Sequence, residues 1–132
     1  MNSAMLNSQT YSSLQEFLDR LQENCLLLAR HGESDWNSIG FIQGQQDRPL
    51  SPVGFKQRKN LFFLLQPVTI SRIFTSTLQR TIQTALPISE EKNIPIERMP
   101  ELNEAKLGVF EGENKTFFSD DFSKEMLSLI HI

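Results

Sequence analysis

Arg30 stands directly before His31, and Gly32 follows. The three place a planar cation with a fixed fork of donors beside a potential nucleophile, next to a residue that lets backbone approach an anion closely. Taken alone the tripeptide is weak evidence, since a histidine equally serves packing or the surface. Arg80 strengthens it, because it falls in the first turn of a predicted helix, where the dipole disfavours a cation and free N–H groups favour an anion. A guanidinium there makes sense with a phosphate between; the competing reading is a surface arginine paired with Glu90 or Glu91. Glu104, inside the acidic stretch 101–113, offers a carboxyl for proton transfer or is one of several solvated carboxylates.

Such groups need a frame that brings three stretches of chain together. Cys25–Ala29 is a continuous apolar run ending abruptly in Arg30, as in a strand covered on both faces of a parallel sheet. Residues 33–50 are polar, carry Gly40, Gly44 and Pro49, and read as a long loop with room for one helical turn. Ser51 and Pro52 form an N-cap and first helical residue, opening a helix with a wide apolar face that ends near Leu65, before Pro67. Val68–Phe74 reads as a second strand. Ser76 with Gln79 has capping-box spacing, opening a helix through about Leu86 that Pro87 closes. Ile94–Met99, interrupted by Pro95, is a third strand, and residues 100–116 are loop. At the ends, residues 1–12 read as a flexible segment, Ser13 and Glu16 open a helix over 13–23, and Ser119 caps a helix whose Phe122, Met126, Leu127 and Ile130 share a face. The alternation predicts an α/β fold, a mainly parallel sheet with helices on both faces. Ligands of such sheets bind beyond the C-terminal ends of the strands, where Arg30, His31, Arg80 and Glu104 fall.

Composition bounds the partners. The 132 residues suit one domain, and 39% hydrophobic with 22% charged content excludes disordered and fibrous classes. Thirteen Lys and Arg against sixteen Asp and Glu leave a net charge of −3 with no basic stripe, which argues against nucleic acid. The longest apolar runs, Cys25–Ala29 and Leu61–Leu65, are far short of the roughly 20 residues that span a bilayer. No basic residue precedes Arg20 and no apolar leader is present, so neither membrane nor export is expected. A single cysteine, Cys25, excludes an internal disulfide, reads as a packing residue, and suits the cytoplasm.

The string Leu27-Leu28-Ala29-Arg30-His31-Gly32-Glu33-Ser34-Asp35-Trp36-Asn37 resembles the signature of the histidine phosphatase superfamily, also called phosphoglycerate mutase-like. Three further blocks in order resemble the rest of its pattern: Gln43 to Gly54, Ser76 to Ala85, and Glu101 to Gly112. The resemblance implies that His31 is a nucleophile forming a phosphohistidine, that Arg30 and Arg80 hold phosphoryl oxygens, and that Asn37 and Gln43 add neutral donors. It implies that Glu104 protonates the leaving oxygen and then activates water, which calls for a carboxyl pKa raised toward neutrality. No metal and no cofactor are required, and the partner is a phosphorylated small molecule.

The Gln43-Gly44 pair and the Gly108 to Gly112 segment resemble the broad-specificity phosphatase branch. The expected activity is phosphate-ester hydrolysis, with a phosphoglycerate mutase-type transfer or an inactive phospholigand-binding remnant as alternatives. Family members carry a second catalytic histidine, followed by Gly, at the end of a later core strand. This chain stops at Ile132, and His131 follows a helical pattern without that Gly. The resemblance therefore implies a domain incomplete at its C-terminus, lacking a strand and its covering helix.

Overall fold

A computed structural model of the chain describes Glu16, Asp19, Leu21 and residues 25–114. Ser51 opens the first long helix as its pattern predicts: the hydroxyl accepts from the Gly54 N–H at 3.1 Å and Pro52 takes the first helical position, giving α2, Pro52–Leu65. A four-residue helix, α1 (Asp35–Ser38), precedes it inside the long polar loop, capped by Ser34 and Asn37 in a reciprocal box. Strand β1 (Ile73–Thr75), helix α3 (Gln79–Lys92) and strand β2 (Ile96–Arg98) follow as one parallel βαβ unit, with Ile73 opposite Ile96, Phe74 opposite Glu97 and Thr75 opposite Arg98. Short 3₁₀ turns at Pro100–Leu102 and Gly108–Phe110 lead the chain back toward residues 41–46.

The core lies where α2, α3 and the start of β1 meet. Leu65, Val68 and Ile88 are buried together, with Leu21, Leu27, Leu61, Phe62, Ile70 and Ile73 packed against them. Burying such a side chain contributes about 1.5–3 kcal/mol. Lys92 joins the two helices, its Nζ donating to the carbonyls of Gln66 at 2.9 Å and Val68 at 2.7 Å, which puts a cation at the negative end of α2. The wide apolar face of α2 is covered only in part, since Val53, Phe63 and Leu64 stay exposed.

Three sequence expectations need correction. Cys25–Ala29 is not a buried strand: it pairs with no other segment among the described residues, and Leu28 is 79% exposed. Apolarity creates a demand for burial, but a strand also needs a neighbour to take its N–H and C=O groups. Pro87 does not close its helix. It lies within α3, where its missing N–H frees the carbonyl of Gln83, and that carbonyl accepts from Arg58 Nη1 at 2.9 Å. The helix continues to Asn93, which ends it in the left-handed region at φ 53°. Ser76 does not cap α3 either; Leu78 holds that place, and Asp47, distant in sequence, accepts from the Gln79 N–H at 2.6 Å. Glu16 and Asp19 are helical, as the N-terminal helix requires, whereas Leu21, expected within it, is not. The rest of that helix apart from Leu21, the segment 1–12, the helix from Ser119 and His131 lie outside the described residues.

Candidate active site

The loops that follow the Cys25–Ala29 run, β1 and β2 bring His31, Arg80 and Glu104 to one place. His31 Nε2 is 3.0 Å from Glu104 Oε1, and Arg80 Nη2 is 3.2 Å from Glu104 Oε2. The His31 Nδ1–H donates to the Gly32 carbonyl at 2.6 Å, which holds the ring and turns Nε2 inward. Arg80 is fully buried. Its Nη1 donates to the Gln46 carbonyl and its Nη2 to the Gly44 carbonyl, both at 2.8 Å, while Nε has no hydrogen-bond partner. Glu104 Oε2 is likewise buried, close to the guanidinium but not aligned with any donor. A buried cation and a buried carboxylate oxygen, each with capacity unused, make a site ready for one more polar group.

The supports explain why these side chains meet. Thr84, one turn after Arg80 on α3, donates its hydroxyl to the Arg80 carbonyl at 2.6 Å and accepts from the Gly32 N–H at 3.0 Å, tying the arginine's helix to the histidine's loop. Gly32 also passes against the backbone of Gly54 at the start of α2, where a Cβ would meet the Gly54 carbonyl at 2.7 Å. That approach locks the His31 loop on α2. On the other side Asn103 accepts from the Thr77 N–H at 2.9 Å and donates back to the Thr77 hydroxyl at 2.9 Å, joining the loops after β1 and β2 and placing Glu104. Thr84 and Asn103 lie in blocks read from sequence, but without a role. A threonine one turn from a site arginine is the one local signal for such a support.

Asn37 and Gln43 come together with each other and with Ser34. Gln43 Nε2 donates to Asn37 Oδ1 at 3.2 Å, and Gln43 Oε1 accepts from the Ser34 hydroxyl at 2.5 Å. Gln43 and Ser34 are buried. Arg30 stands apart: it is exposed and makes no hydrogen bond or ion pair to His31, Arg80 or Glu104. It borders an open groove of about 450 Å³ running from Leu27 and His31 to Leu61 and Thr84.

The electrostatics correct one expectation. Burial pushes the Glu104 carboxyl up, but the His31 hydrogen bond and the Arg80 charge outweigh it, so the group lies below the ordinary carboxylate range. A raised pKa does not belong to the site in this state. No group of three His, Cys, Asp or Glu side chains forms a metal-ligating cluster among the described residues.

Comparisons with known proteins converge on one family. The family described as histidine phosphatase superfamily (branch 1) matches residues 26–129. Phosphoserine phosphatase 1 of Hydrogenobacter thermophilus is 40% identical over 87 residues, covering 66% of this chain and 41% of the relative. A 2,3-bisphosphoglycerate-dependent phosphoglycerate mutase of Streptococcus agalactiae is 35% identical over 109 residues, covering 79% and 47%. Among solved structures, a mycobacterial glucosyl-3-phosphoglycerate phosphatase superimposes with a TM-score of 0.66 at 28% identity, covering 74% of this chain and 49% of that one. The chain spans about half the length of the curated relatives it matches.

Proposed function

Because the chain belongs to the histidine phosphatase superfamily, we propose that it hydrolyses small phosphate monoesters through a phosphohistidine on His31. The observation that carries this reading is the buried Arg80 guanidinium, its Nε free of any acceptor, beside the His31 Nε2 and Glu104 pair. With Nδ1 holding its proton on the Gly32 carbonyl, Nε2 gains its lone pair as the proton it shares with Glu104 passes to that carboxyl. It attacks phosphorus in line, and the P–N bond forms as the bond to the leaving oxygen breaks. Arg80 offsets charge on the phosphoryl oxygens, which is the main requirement of such a transfer. The family pattern assigns Arg30, Asn37 and Gln43 to the phosphate as well; Arg30 borders the groove beside His31, while Asn37 and Gln43 are bonded to each other. Water then attacks phosphorus, the P–N bond breaks, and inorganic phosphate leaves.

Glu104 hands its proton to the leaving oxygen and takes one from the attacking water. For this its carboxyl has to rise, and substrate binding supplies the cause. A phosphoryl group entering between His31 and Glu104 removes the hydrogen bond that lowers the carboxyl, and its negative charge opposes the pull of Arg80. Burial, which raises it, is left.

The named relatives act on phosphoserine and on phosphorylated glycerates, so these and a generic aryl phosphate form the substrate panel. The test is turnover by the full chain together with trapping of acid-labile phosphate on His31. His31→Ala is expected to abolish both. Near-normal turnover by His31→Ala would overturn the phosphohistidine route, and phosphate binding without turnover would leave a phospholigand-binding module.

A further inference from the structure

Arg80 does not aim itself. Both of its terminal nitrogens are engaged by carbonyls of the loop 43–46, so whatever holds those carbonyls directs the Nε face of the guanidinium. Two turn bonds, Gln46 N–H to the Gln43 carbonyl at 2.8 Å and Arg48 N–H to the Gln46 carbonyl at 3.0 Å, give the loop limited rigidity. Further hold comes from residues 111–113. Gly112 N–H donates to the Ile42 carbonyl at 2.7 Å, and Ile42 N–H donates to the Glu113 carbonyl at 2.9 Å. Between these strand-like contacts and Arg80 stands a single carboxylate.

Glu111 Oε1 accepts from the Gln45 N–H at 3.2 Å and the Leu107 N–H at 3.0 Å, and its Oε2 accepts from Gln46 Nε2 at 2.7 Å. The loop backbone rests on this carboxylate. Gly44 adopts φ +50°, and a Cβ there would lie 2.5 Å from Glu111 Oε1, so only glycine lets its carbonyl face Arg80 while the carboxylate stays in place. The same loop reaches the acid, since Gln45 Nε2 donates to the Glu104 carbonyl at 3.0 Å. Partial burial raises the Glu111 carboxyl, and the donors from Gln46, Leu107 and Gln45 lower it further than burial raises it.

Resting on the reading that this pocket holds a phosphoryl group, we infer that Glu111 is a positioning residue, which seats the loop 44–46 so that its carbonyls aim Arg80 at the phosphoryl oxygens. It makes no hydrogen bond to His31, Arg80 or the Glu104 carboxyl and acts through the loop alone.

Orthovanadate binding to the full chain, followed by calorimetry with circular dichroism as the control for folding, tests this. Glu111→Ala is expected to lose about tenfold in affinity, as residues coupled through a shared network do. Glu111→Gln keeps an oxygen for the two backbone N–H groups, and Gln46 can turn its amide to meet the new NH₂; it is expected to stay within about threefold of wild type. In an Arg80→Lys background, where no fork of donors is left to aim, Glu111→Ala is expected to cost under about twofold. A merely structural residue would show equal losses in both backgrounds. Should Glu111→Ala fail to fold, Glu111→Asp, one methylene short, carries the same comparison. Wild-type affinity in the folded alanine or aspartate variant, or a loss of equal size in the Arg80→Lys background, overturns the inference alone. A wild-type chain that binds no vanadate overturns the phosphoryl-site reading and the inference with it.

Discussion

Two apolar stretches lead into the candidate site, and they end differently. Ile73–Thr75 pairs in parallel with Ile96–Arg98 and carries the chain into the buried Arg80. Cys25–Ala29 is at least as apolar and carries the chain into His31, yet it pairs with nothing among the described residues and leaves Leu26 and Leu28 exposed. The difference lies in the neighbours, not the residues. β1 has α3 to bring β2 back beside it at the right distance. The histidine nonetheless meets its partners, because its loop is held from the side by Thr84 and by the close passage of Gly32 over Gly54. Site geometry here depends on polar ties between loops more than on a continuous sheet.

The sharpest way to break the comparison is Arg80→Ala, which removes the best-anchored group on the paired side. It is expected to lower turnover on the panel about 10²- to 10³-fold, as loss of one preorganised donor does, and the carbonyls of Gly44 and Gln46 lose their partners as well. A loss under tenfold would mean that the anchoring does not serve the chemistry. Next, Leu65→Ala, at the centre of the packed core, is expected to cost about 2–5 kcal/mol in urea unfolding. Thr84→Val keeps the shape but leaves the buried Gly32 N–H without an acceptor, an expected loss of about 1–3 kcal/mol. If Thr84→Val is neutral, the histidine loop is not held as described.

The pH dependence of unfolding sharpens the same point. The folded Glu104 carboxyl lies below its ordinary value near 4.5, so its contribution is present above that pH and lost as pH falls through the folded value. Wild type is therefore expected to lose more stability than Glu104→Gln between pH 6 and pH 3; equal losses would contradict the hydrogen bond with His31 and the ion pair with Arg80. The smallest effect is expected at Leu28→Ser, within about 0.5 kcal/mol, because that side chain is 79% exposed. A larger cost would show that another segment or another copy covers the unpaired run in solution.

What the sequence by itself determined is the local and the chemical. Ser51 and Pro52 mark the start of α2 from sequence alone, because an N-cap hydroxyl and a fixed φ act within one turn. The four ordered blocks around His31, Arg80 and Glu104 identified the family, because a transfer chemistry restricts residue types at fixed spacing. The fold class was legible for the same reason, through a strand, a helix and a strand written in order. Tertiary structure alone decided the rest. Pro87 stays inside α3 because Arg58, from another helix, takes the carbonyl that proline frees. Asp47 caps α3 from a loop 32 residues away. The Glu104 carboxyl lies below its ordinary range because His31 and Arg80 reach it, although burial alone pushes the other way. Whether an apolar run becomes a strand depends on a partner whose position no local pattern encodes, and a pKa depends on charges that only folding brings within a few ångströms.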